Sequence, residues 1–202
     1  MSSSGDSSDW AQWEAAHWAV AVPAAIEPVP AAGQRDLRGR RVLVGLPGVG
    51  WRGDLRGDAP VVQASRTYVP VVPEQEWYRA ETEQIEVFAP LVPIERVWVE
   101  QPRDSIVDSG TRDLVSRLVS LDGPARREPV PSRDVAGLTG RRVVRMTERG
   151  EVRDLRAVTE PYSGVDGDIC VRITTELEWY RWAWSGQPPA TVEVPVHLLW
   201  AE

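Results

Sequence analysis

At 202 residues, with 42% hydrophobic and 26% charged residues, the chain has the size and composition of one large globular domain or two small ones. No apolar run approaches the ~20 residues of a membrane span. The opening Met1-Ser2-Ser3-Ser4-Gly5-Asp6 lacks the basic and apolar regions of a secretory signal, and a lone cysteine, Cys170, cannot form an internal disulfide, so a cytoplasmic protein without membrane attachment is expected.

In chain order, the first element is a helix: Asp9 caps a stretch in which Trp10, Trp13, His17 and Val20 fall near helical spacing. After Ser109-Gly110-Thr111, the residues Leu114, Leu118 and Leu121 repeat that stripe, 101 positions from Trp13, His17 and Val20. A proline-containing connector follows, Glu27-Pro28-Val29-Pro30, and it recurs as Glu128-Pro129-Val130-Pro131. Gly39-Arg40-Arg41-Val42 then recurs as Gly140-Arg141-Arg142-Val143 and opens a strand, Arg40–Val44 or Arg141–Met146. A second strand starts near Asp54-Leu55-Arg56, matched by Asp154-Leu155-Arg156 at an offset of 100. The third spans Thr67–Val72 or Asp168–Thr174, where Ile169, Val171 and Ile173 alternate.

A short helix comes next. Thr175-Glu176-Leu177-Glu178 has the capping-box pattern and Gly186 can end the helix; in the first copy Pro73 and the acidic Glu74 and Glu76 give the same start. Within it Glu76-Trp77-Tyr78-Arg79 matches Glu178-Trp179-Tyr180-Arg181 at an offset of 102. The last strand is Val92–Val99 or Val194–Trp200, with Trp98 matched to Trp200 and Glu100 to Glu202. Matches in one order, drifting by single residues that fall in turns, establish a tandem duplication of a module of about a hundred residues. The expected architecture is mainly β with short helices: residues 1–101 and 102–202 as the two modules, each a helix followed by a small SH3-like barrel, at about 39–100 and 140–202.

The duplication also filters candidate sites. Gly48-Val49-Gly50-Trp51-Arg52-Gly53 spells a dinucleotide-binding GxGxxG, but the following Asp54–Pro60 makes a poor helix and the second copy has Arg149-Gly150-Glu151, so a hairpin turn is expected. Two histidines, His17 and His197, and Cys170 have no metal-ligand spacing, and no carboxylate pair has the convergence that acid–base chemistry needs. No metal, cofactor or catalytic residue is therefore assigned, and the expectation is a protein without enzymatic activity.

Two anomalies remain. All 23 basic residues are arginine, and residues 35–56 and 126–156 each carry a net charge of +4 within a chain of net −7. Arg40, Arg41 and Arg56, with Arg141, Arg142 and Arg156, could track a nucleic-acid backbone; alternatively the basic face of one module meets the acidic face of the other. The second anomaly is ten tryptophans. Trp77/Trp179 and Trp98/Trp200 occur in both copies and are expected in the core. Trp182 and Trp184 stand alone, with Glu81 and Glu83 taken as their counterparts, which makes Tyr180, Arg181, Trp182 and Trp184 a candidate docking surface for a protein partner or a filling for the seam between modules. The leading expectation is an interaction protein built from two fused β modules; the alternative is a nucleic-acid-binding protein using the arginine hairpins.

Overall fold

The structure, a computed structural model, describes residues 21–103, 123–165 and 167–202. The helices expected from Asp9 and from Thr111, with His17, lie outside the described residues. The first module comprises β1 (Ala25–Pro30), β2 (Arg41–Leu46), β3 (Gly50–Gly57), β4 (Val61–Gln63), β5 (Arg66–Pro73), α1 (Glu74–Glu83), β6 (Leu91–Pro93), a 3-10 turn (Ile94–Arg96) and β7 (Val97–Arg103). The second comprises β8 (Val130–Pro131), β9 (Arg142–Thr147), β10 (Gly150–Ala157), β11 (Tyr162–Ser163), β12 (Ile169–Thr175), α2 (Glu176–Ser185), β13 (Val192–Pro195), a 3-10 turn (Val196–Leu198) and β14 (Leu199–Ala201).

The two sheets have one topology. In the first, the antiparallel order is β1-β7-β2-β3-β5-β4, with β6 also on β5. In the second it is β8-β14-β9-β10-β12-β11, with β13 on β12. Each is a curled half-barrel closed around its own aliphatic core. Leu37, Val42, Leu55, Val69, Val71, Val97 and Val99 fill the first; their repeat counterparts Leu138, Val143, Leu155, Val171, Ile173, Leu199 and Ala201 fill the second. These small β-branched and leucine side chains suit the narrow interior of a strongly curled sheet.

Four expectations change. The connector Glu27–Pro30 is part of strand β1, paired with β7 from Ala25↔Arg103 to Pro30↔Trp98. Pro28 and Pro30 lower the strand signal, yet an edge strand tolerates prolines because one side of its backbone needs no partner. The expected final strand is two strands in each module. The 3-10 turn after Pro93 or Pro195 carries the chain from β5 or β12 across to β2 or β9, which closes the curl.

The shared tryptophans are only half-buried, outside the aliphatic cores. Trp77 and Trp179 lie against Gly39 and Gly140, whose left-handed φ angles of 71° and 81° suit glycine. Finally, α1 and α2 begin at Glu74 and Glu176 and end in left-handed caps at Gln84 and Gly186, all 102 apart. A continuous helix admits no insertion, so Trp182 and Trp184 correspond to Ala80 and Thr82, not to Glu81 and Glu83.

Candidate functional site

Three features of the sequence converge on the seam between the modules. Strands β3 and β10 each carry a bulge in which Asp54 and Asp154 adopt left-handed φ angles of 55° and 60°, and the ladder to β2 or β9 shifts register there. Such a bulge re-aims a side chain, and both aspartates reach arginines of the opposite module. The first turns of α1 and α2 supply Glu74 and Glu176, both fully buried. Neighbouring strands β2/β3 and β9/β10 supply Arg41, Arg56, Arg142 and Arg156.

The contacts are reciprocal. Arg41 Nη2 lies 2.6 Å from both Glu176 and Asp154; Arg142 Nη2 lies 2.9 Å from Glu74 and 2.7 Å from Asp54. Arg56 Nη2 meets Glu176 at 3.0 Å and Arg156 Nη2 meets Glu74 at 3.4 Å. Arg56 also donates to Tyr78 Oη at 2.9 Å and to Gly39 O at 2.9 Å; Arg156 donates to Tyr180 Oη at 2.7 Å and to Gly140 O at 2.8 Å. Each tyrosine donates across the seam, Tyr78 to Glu176 at 3.2 Å and Tyr180 to Glu74 at 3.0 Å. The two rings stack with centroids 5.5 Å apart. Ile26 and its repeat counterpart Arg127 exchange both backbone hydrogen bonds, at 2.9 and 3.0 Å. Contact of a residue with its own counterpart, and of i with j′ as of j with i′, is the signature of an isologous interface. The modules are thus related by a pseudo-two-fold axis.

Electrostatically the seam is closed on itself. Burial works to discharge Arg41 and Arg142, but the surrounding carboxylates together outweigh it: Glu176 and Asp154 at Arg41, and Glu74, Glu100, Glu176 and Asp54 at Arg142. Burial likewise works to protonate Glu176, and Arg41 and Arg142 hold its carboxyl below the ordinary glutamate range. Burial, with the nearby carboxylates, pushes the Tyr78 and Tyr180 phenols up, so both stay protonated as donors. The rim breaks the symmetry. Glu100 is capped by Arg127, where the first module has Ile26; Glu202 is capped by Arg153, where it has Gly53.

The structure therefore places Arg41, Arg56, Arg142, Arg156 and Tyr180 together in the seam. Arg40 is half-buried outside it, and the exposed Arg141 donates from Nε to Gly137 O at 2.9 Å. Arg181 pairs with Glu178 at 2.5 Å. Trp182 packs edge-on against Trp179, with centroids 5.6 Å apart, and remains 37% exposed. Trp184 is half-buried, four residues beyond Tyr180 on the helix. Sequence reasoning passed over the carboxylates Glu74, Glu176, Glu100, Glu202, Asp54 and Asp154. The available signal was their recurrence at matched positions of both copies, where a buried charge needs a fixed partner.

GxGxxG is the β2–β3 hairpin turn, with Val49 N donating to Leu46 O at 3.0 Å. Cys170 is buried on β12. Among the described residues, no group of three or more His, Cys, Asp or Glu is disposed to hold a metal ion. No protein-family model, curated protein or solved structure matches the chain.

Proposed function

We propose that the protein is a non-enzymatic, cytoplasmic interaction protein: two small SH3-like barrels locked into one body by the ionic seam, which docks a protein partner through the outer face of α2. The observation that carries this reading is Trp182, 37% exposed beside Arg181 at a position where α1, which shares the preceding Glu-Trp-Tyr-Arg, has Ala80. A tryptophan already held edge-on by Trp179 loses little rotamer freedom on binding, and Trp and Arg are the residue types that dominate interface energetics. The seam supports a rigid platform for it, because the modules can part only by breaking several cross-module ion pairs and hydrogen bonds together.

The arginine reading has less support, since four of its six residues already face carboxylates of the chain itself. The test is capture of partners from lysate of the native host, with and without nuclease, using Trp182→Ala beside the parent protein. A nuclease-resistant protein partner should bind the variant about 30-fold more weakly, the loss expected at a hot-spot tryptophan. Unchanged binding would refute the docking face, and capture that requires nucleic acid would favour Arg40 and Arg141.

A further inference from the structure

The two β-hairpins at the ends of the modules have inverted chemistry. In the first module the ten residues Val42–Trp51 contain no charge, and the tip exposes Leu46 (38%), Val49 (80%) and Trp51 (39%). Its root carries two exposed cations at one level of the sheet. Arg52 pairs across to Val44, which pairs on its other side with Val97, and Arg96 immediately precedes Val97. In the second module the tip is charged, with Glu148, Arg149 and Glu151, and the root positions are Val152 and Leu198.

The Trp51 ring is fixed rather than free. It lies over Gly45, where an added Cβ would come within 3.0 Å of the ring, and meets Trp98 edge-on with centroids 6.0 Å apart. An apolar tip, a tryptophan at its shoulder and a cationic collar behind it match the depth profile of a phospholipid surface: acyl chains, interface, phosphates.

We propose that the β2–β3 hairpin of the first module is a surface anchor for bilayers containing anionic phospholipid, with Leu46, Val49 and Trp51 entering the interface and Arg52 and Arg96 facing lipid phosphates. Such attachment needs no spanning helix, and no described helix is long and apolar enough to be one. The chain's net charge of −7 opposes general attraction to an anionic surface, so the local collar and the apolar tip must carry the binding, which is weak and reversible.

The test is co-sedimentation of the full chain with vesicles of phosphatidylcholine and phosphatidylglycerol at about three to one, a lipid composition in which headgroup charge and apolar insertion can both act. The parent protein should sediment with vesicles. Val49→Asp, in an exposed turn that keeps its circular dichroism, should bind about tenfold less, because it carries a charge into the apolar layer. Arg149→Asp at the other tip, and Trp182→Ala on the protein-docking face, should leave sedimentation unchanged. A parent protein that stays in the supernatant, or a Val49→Asp variant that sediments like the parent, overturns the anchor and leaves the α2 docking face standing.

Discussion

The seam and the hairpin tips are the two ends of the same strands, and they have diverged in opposite degrees. At the seam the buried charged positions agree between copies: Arg41 with Arg142, Arg56 with Arg156, Glu74 with Glu176, Glu100 with Glu202. At the tips nothing charged agrees. The difference follows from solvation. A buried ion in a reciprocal network cannot change alone, because its partners would be left unpaired in a medium that does not screen them. A tip residue in water has no such partner, and its chemistry is free to be redirected.

The largest effect expected from breaking this comparison is at the helix starts. Glu176→Ala should cost about 3–5 kcal/mol in chemical denaturation, since it removes one of the two fully buried carboxylates that face guanidiniums from both modules. Glu74→Ala should cost the same within experimental error. Values that differ severalfold would show that the pseudo-two-fold relation does not extend to energetics.

Acid should act on the same group. The folded-state pKa of Glu176 lies below its ordinary value, so its stabilising contribution is present in full above the ordinary glutamate range. It drains away as the pH falls below that range, through the folded pKa. Denaturation midpoints measured downward from neutral pH should fall accordingly, and the fall should shrink in Glu176→Gln. For Tyr78 and Tyr180 the sign reverses at the alkaline end: their raised pKa values mean that stability declines once the pH passes the ordinary tyrosine range.

A smaller effect sharpens the comparison between helices. α1 ends with Gln84 at a left-handed φ of 54°, whereas α2 ends with Gly186 at 71°. Gln84→Gly should raise the thermal midpoint and Gly186→Gln should lower it, each by the equivalent of about 1 kcal/mol. Smallest of all, Asp54→Asn and Asp154→Asn should each cost under about 1 kcal/mol. Both carboxylates stand largely in water at the mouths of the seam, where ion pairs contribute little. A larger loss would mean that the bulges, not the helix starts, hold the modules together.

Much of the local structure was legible because its causes are local. The capping box reads directly as Thr175 accepting from Glu178 N at 3.3 Å, with Gly186 closing the helix. The hairpin at Gly48–Gly50 follows from glycine and proline spacing, and the repeat follows from matched words along the chain. What was not legible depends on distant partners. Strand β1 hid behind Pro28 and Pro30 because an edge strand is defined by what lies beside it. The half-buried setting of Trp77 and Trp98 followed from cores too narrow for indole rings.

The sequence by itself determined the duplication, the β-rich character and the α2 cap, all properties carried by neighbouring residues or by composition. Only the tertiary structure decided where the arginines go. Arg41 and Glu176 are 135 residues apart in the chain and 2.6 Å apart in space. Charge in a sequence is only a sum, whereas its energy depends on which opposite charge it faces and how much water lies between them.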